Sequence, residues 1–161
     1  MKKGIEFLEN TSGLKGHWTL AVYKGDIKRD LDGVILNELV ETIEGNNLIT
    51  TVGKGGIMDR LFGLSAVGAM TRIGVGTNNA AAAIGDTALT GGVFVVYDSV
   101  PTRAGLVVTC TATFGTAVAN IVWSELGMDN GTFLLNRIAP IGPITKTSAL
   151  SIIVTVGITQ T

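Results

Sequence analysis

The segment Leu150–Ile158 constrains the fold most, because Ile152, Val154, Val156 and Ile158 alternate there with Ser151, Ile153, Thr155 and Gly157. Residues two apart share one face of a strand, whereas a helix would scatter such a set around its axis. The same period runs through Val108-Thr109-Cys110-Thr111-Ala112-Thr113-Phe114, and through Trp18, Leu20 and Val22 against Thr19, Ala21 and Tyr23. Strands are predicted over 17–24, 71–75, 93–97, 106–114, 121–128, 132–138 and 150–158. Glycine, 22 of the 161 residues, punctuates the gaps. Short strands at that spacing favour antiparallel sheets over βαβ units.

The expected fold is therefore mainly β: an antiparallel β-sandwich or barrel-like domain with one short helix and an extended N-terminal arm. The helix is expected at about 55–62, where Ile57, Leu61 and Phe62 line one face that would pack on a sheet. Residues 33–45 stay ambiguous, since Leu36, Leu39, Val40 and Ile43 fit helical spacing while Val34-Ile35-Leu36 fits a strand. Residues 1–16 have no periodicity and contain Gly4, Asn10, Thr11, Ser12, Gly13 and Gly16, which suits an arm. In that arm Ile5, Phe7 and Leu8 are the candidates for filling a groove on a neighbour, with Trp18 as a further interaction candidate. Residues 17–161 then form a single β-rich domain, a usual domain size.

Charge is distributed unevenly. Residues 1–60 hold 17 of the 25 charged side chains, leaving 8 for the other 101 positions. So charge-poor a segment is expected to be covered in part by neighbouring protein, with a dimer or trimer of small cyclic symmetry as the default. The alternative is a surface solvated by Thr, Ser, Asn and Gly. A net charge of −1 gives no global attraction to nucleic acid or to an anionic membrane. Ala104–Ser124 is uncharged and long enough to span a bilayer, yet its five-residue set of Thr109, Thr111, Thr113, Thr116 and Asn120 and its period of two read as strand and turn. Glu6 and Glu9 interrupt any apolar core of a signal peptide after Met1-Lys2-Lys3.

Catalytic patterns are scarce. A lone His17 and a lone Cys110 cannot supply a Cys/His zinc site, and Cys110 falls mid-strand, where a small core residue is expected. Gly74-Val75-Gly76-Thr77 begins like a dinucleotide fingerprint but lacks its third glycine and its helix. Glu125 and Asp129 could act as paired carboxylates, but both sit near a turn marked by Gly127, Asn130 and Gly131, where solvated acids are ordinary. No catalytic residue, metal ligand, cofactor or small-molecule substrate is nominated, and the expectation is a non-enzyme.

The segment Ile73-Gly74-Val75-Gly76-Thr77, a small-residue loop Asn78–Ile84 and Gly85-Asp86-Thr87-Ala88-Leu89-Thr90 resembles a pattern of virion structural proteins of tailed bacteriophages. Upstream, Asn47-Leu48-Ile49-Thr50 and a glycine-opened helix ending Asp59-Arg60-Leu61-Phe62-Gly63 resemble the element before that loop. Downstream, Ser124-Glu125-Leu126-Gly127-Met128, then Phe133–Ile138 with Arg137, then Pro143-Ile144-Thr145-Lys146 resemble its closing pattern, with one extra residue in the last turn. The resemblance covers residues 46–161. It implies a capsid decoration or cement protein on the capsid exterior, with the phage major capsid protein and copies of itself as partners. A neck, tail or baseplate component is the alternative, and a carbohydrate-binding β-sandwich of a tail fibre a further one.

Within this pattern Gly74, Gly76, Asp86, Leu89, Glu125 and Arg137 are expected to be structural. Asp86 is expected to accept from the backbone N–H groups of Ala88 and Leu89 while Leu89 enters the core. Arg137 is expected either to pair with Glu125 across the hairpin or to be solvated independently of it.

Overall fold

A computed structural model describes residues 13–64 and 68–161. The alternating segments become strands: β1 (Leu14–Lys24), β2 (Leu39–Ile49), β3 (Arg72–Gly76), β4 (Val93–Val96), β5 (Thr102–Ala104) and β6 (Val107–Phe114). They continue as β7 (Val122–Trp123), β8 (Glu125–Asp129), β9 (Leu134–Ile138), β10 (Ile144–Thr145) and β11 (Leu150–Gln160), with one helix, α1 (Thr51–Phe62), between β2 and β3. Nine strands form one antiparallel sheet in the order β4-β3-β8-β9-β2-β1-β11-β6-β5, and β7 pairs with β10 alone.

The sheet curls into a half-barrel. Asp98, just past β4, brings one margin back to the other: its N–H donates to Thr111 O at 2.8 Å, and its carboxylate accepts from Thr113 N at 2.9 Å and Thr113 Oγ1 at 2.7 Å. Inside the curl the predicted alternation holds. Trp18, Leu20 and Val22 of β1, Cys110, Ala112 and Phe114 of β6, and Ile152, Val154 and Val156 of β11 all enter one core. Phe114 meets Trp123 edge to face with centroids 4.9 Å apart.

One open reading is settled and four expectations need correction. Residues 39–49 are strand, pairing with β1 over eight positions, which decides the ambiguous segment against a helix. β1 starts at Leu14, and Gly13 exchanges two backbone bonds of 2.9 Å with Thr161, so residues 13–16 belong to the sheet rather than to an arm. Ile5, Phe7 and Leu8 lie outside the described residues. Trp18, offered as an interaction residue, is buried and lies over Gly45 on β2. The predicted strand 121–128 breaks at Ser124, whose N–H bonds to Gly76 and whose carbonyl bonds to Ile141 as the chain passes from the small sheet to the large one.

The fourth correction concerns α1, which begins four residues earlier than expected. Thr50 caps it, its hydroxyl accepting from Gly53 N at 2.9 Å, and Gly63 ends it in the left-handed conformation at φ 63°. The packed face is glycine, not Leu61 and Phe62, which are exposed. A Cβ at Gly53 would lie 2.2 Å from Leu135 O, and one at Gly56 2.1 Å from the Phe133 ring. Close approach at these two glycines therefore docks the helix, on the β9 backbone at Gly53 and on the Phe133 ring at Gly56.

Candidate functional site

The outer face of β3 and β8 is bare of side chains where Gly74 stands directly opposite Gly127. A Cβ at Gly74 would lie 2.3 Å from the Phe94 ring, and one at Gly127 2.7 Å from Asn136 O and 3.2 Å from Leu89. The two glycines make a trough that receives Phe94 and Leu89. Leu89 is thus buried, but against the outer face rather than in the inner core.

Over this trough runs the loop 77–92, held by Arg137. From β9, its Nε donates to Glu125 Oε2 at 2.6 Å and its NH1 to Asp86 Oδ2 at 2.8 Å. Its NH2 reaches Ala80 O at 3.1 Å and Asn78 O at 3.4 Å, and NH1 also faces Ala81 O at 3.4 Å. Glu125, fully buried, uses Oε1 to accept from Thr90 N at 2.7 Å and Asn78 N at 3.2 Å, at the two ends of the loop. Gly76 makes room for it, since a Cβ there would lie 2.4 Å from Glu125 Oε1. One arginine and one glutamate therefore fasten a loop that has no regular secondary structure of its own.

Arg137 and Glu125 take the paired alternative of the two expected, and the pair is buried, which neither alternative included. Asp86 has a different role from the one expected: its carboxylate accepts from Ala83 N at 2.8 Å and from Arg137, rather than from Ala88 and Leu89. Burial works against its ionisation, but the Ala83 N–H and the guanidinium outweigh that and hold its carboxyl below the usual range. Burial likewise opposes the charge on Arg137, and its bonds to Asp86 and Glu125 overcome this and raise its pKa.

Asp129, expected to be solvated, pairs instead with Arg72, which stands opposite it on β3, through bonds of 2.8 and 2.7 Å. Chiefly through that bond the Arg72 pKa is raised, and its guanidinium lies 4.8 Å over the Phe94 ring. Glu125 and Asp129 each belong to a separate arginine and do not face one another as an acid–base pair. His17 is exposed on β1, and Cys110 is buried in β6 as expected.

Sequence reasoning missed the Arg72–Asp129 pair and Lys146, which is buried with its Nζ on Gly115 O at 2.8 Å and Asn120 Oδ1 at 2.9 Å. The signal was rarity of charge. All eight charged residues after position 61 make side-chain hydrogen bonds within the fold: Arg72, Asp86, Asp98, Arg103, Glu125, Asp129, Arg137 and Lys146. In a segment so poor in charge, each remaining charge has a structural partner.

The carboxylates and guanidinium of this cluster are thus engaged with the loop and the sheet. Among the described residues no group of three His, Cys, Asp or Glu side chains could hold a metal ion, and no helix is long and apolar enough to cross a membrane. Comparison with known protein families, curated proteins and solved structures returns no match to this chain.

Proposed function

We propose that this chain is a non-enzymatic structural component of a tailed-bacteriophage particle, a capsid decoration or cement protein that binds the assembled major capsid protein lattice. The observation that carries this reading is the convergence at Arg137. Gly76, Asn78, Asp86, Thr90, Glu125 and Arg137 all fall in the segments that resemble the phage virion pattern, and all meet in one staple. A pattern spread over that length and spent on holding a loop is a pattern for building a surface, not for turning over a substrate.

Exposed apolar side chains elsewhere on the fold also suit burial against protein. Leu61 is 72% exposed, Phe62 64% and Leu64 73% at the end of α1, and Val100 is 85% exposed between β4 and β5. Apolar side chains at such exposure fit an assembly component, which hides them against a neighbour. Binding to the lattice is non-covalent, and copies of this chain are proposed to associate with each other as a dimer or trimer.

Quantifying the protein in purified virions by mass spectrometry tests the reading. A cement protein is stoichiometric with the major capsid protein, and the purified chain rebinds particles that lack it. A few copies per particle would place it in the neck, tail or baseplate instead. Glycan binding by the isolated protein would support the tail-fibre alternative.

A further inference from the structure

At the end of the half-barrel where Gly13 pairs with Thr161, the inner face is left unfilled. An apolar cavity of about 260 Å³ opens there, walled by Met70, Tyr97, Val108, Cys110, Leu135 and Ile158. Its polar groups are unmatched. The Tyr97 hydroxyl is buried beside the Cys110 thiol and has no hydrogen-bond partner of good geometry among the described residues. At the same end of the sheet, Asn47 stands opposite Gly16, which in turn faces Ile158 of the cavity wall. Both the nitrogen and the oxygen of its side-chain amide are buried without a partner among the described residues.

The Asn47 amide lies beyond Gly16, outside the lining. The phenol on the cavity wall can both donate and accept, so a purely hydrocarbon occupant leaves it unsatisfied. An extended peptide does not, because it brings an N–H and a C=O with every apolar side chain. The sequence carries such a peptide shortly before Gly13, which lies at this end of the barrel. Ile5-Glu6-Phe7-Leu8 precedes Gly13 by only a few residues, and five extended residues reach about 17 Å.

We propose that this cavity is a peptide-binding site whose occupant is the chain's own segment Ile5–Leu8, with Phe7 or Leu8 seated among Tyr97, Cys110 and Ile158. Tethering favours the chain's own segment over that of a second copy, since a short linker holds the peptide at an effective concentration of roughly millimolar. The site is independent of the particle the protein serves.

Cys110, the sole cysteine, is a built-in reporter on the cavity wall. The test uses full-length Phe7→Cys and Leu8→Cys, with Lys3→Cys as a control, under mild oxidation at low concentration. A disulfide forms only where Cα atoms come within about 4.4–6.8 Å. The expected product is an intramolecular bridge from position 7 or 8 to Cys110, seen as a monomer on a non-reducing gel that has lost the mass of two hydrogens. The control gives none. Absence of a bridge from both positions, or bridges formed only between chains, would overturn the proposal.

A second measurement needs no added cysteine. Alkylation of Cys110 is expected to run at least about tenfold faster in an Ile5→Ser/Phe7→Ser/Leu8→Ser variant of unchanged circular dichroism, because a seated segment must open before the thiol reacts. Equal rates would refute it.

Discussion

Replacing Arg137 with Met strands two carboxylates at once, and the structure sets how much that costs. Glu125 is fully buried and loses a 2.6 Å bond, but it keeps the N–H groups of Asn78 and Thr90. The Asp86 side chain is 24% exposed, keeps Ala83 N, and can turn toward water. Breaking a buried pair from one side costs about 3–5 kcal/mol, and these residual partners favour the lower end, about 3 kcal/mol. For a domain of this size that is a fall in Tm of about 6–12 °C. The loop carbonyls add little, because at 3.1–3.4 Å their bonds to Arg137 are long.

The penalty in this argument is the unpaired charge on Glu125. Adding Glu125→Gln to Arg137→Met should therefore restore about half of the loss or more, since the amide oxygen still accepts from Asn78 and Thr90. Thermal and urea unfolding at pH 7 measure the cycle, and limited proteolysis reports release of the loop 77–92. A single-variant loss below about 1 kcal/mol, or a double variant less stable than Arg137→Met, would refute the reasoning.

Two glycines of α1 should respond oppositely to alanine. Gly53→Ala places a methyl 2.2 Å from Leu135 O and is expected to cost about 1–3 kcal/mol. Gly55→Ala meets open space and should gain up to about 1 kcal/mol of helix propensity; equal urea midpoints would refute glycine-mediated docking. Because the Asp86 carboxyl titrates below its usual range in the fold, its contribution is complete above about pH 4 and is lost as pH falls through the folded value. Asp86→Asn should accordingly flatten the acid limb of Tm against pH, and an unchanged limb would count against the staple. Burial pushes the Lys146 ammonium pKa down, so the unfolded chain binds that proton more tightly and the cost fades as pH rises toward about 10. Stability of the wild type relative to Lys146→Met should therefore rise between pH 7 and pH 9.5; a relative fall in urea midpoint over that range would refute this.

The strands whose alternation was strict were legible, β11 and β6 above all, because each buries one face against a single core. β2 was not, since Leu39 and Val40 lie exposed near its start and so do not mark an inner face. The start of α1 was hidden by Gly53, which propensity reads as loop although it is part of the packed surface. At the site, pairing of Glu125 with Arg137 was one of two readings left open by the sequence, and it came into view because the two are neighbours on adjacent strands. The union of Arg137 with Asp86 was not, because 51 residues separate them and only the folded loop brings them together. Arg72 and Asp129, 57 residues apart, were hidden for the same reason.

The position of β11 between β1 and β6 has a consequence for the order of assembly. It joins the first described strand to one from the middle of the fold, with eleven ladder positions on one side and eight on the other. Until β11 docks, β1 and β6 each present an open edge, and such edges invite pairing with other chains. Deleting β11 would therefore open two long edges inside the sheet rather than trim its margin. Conditions that slow its docking should favour aggregation over folding.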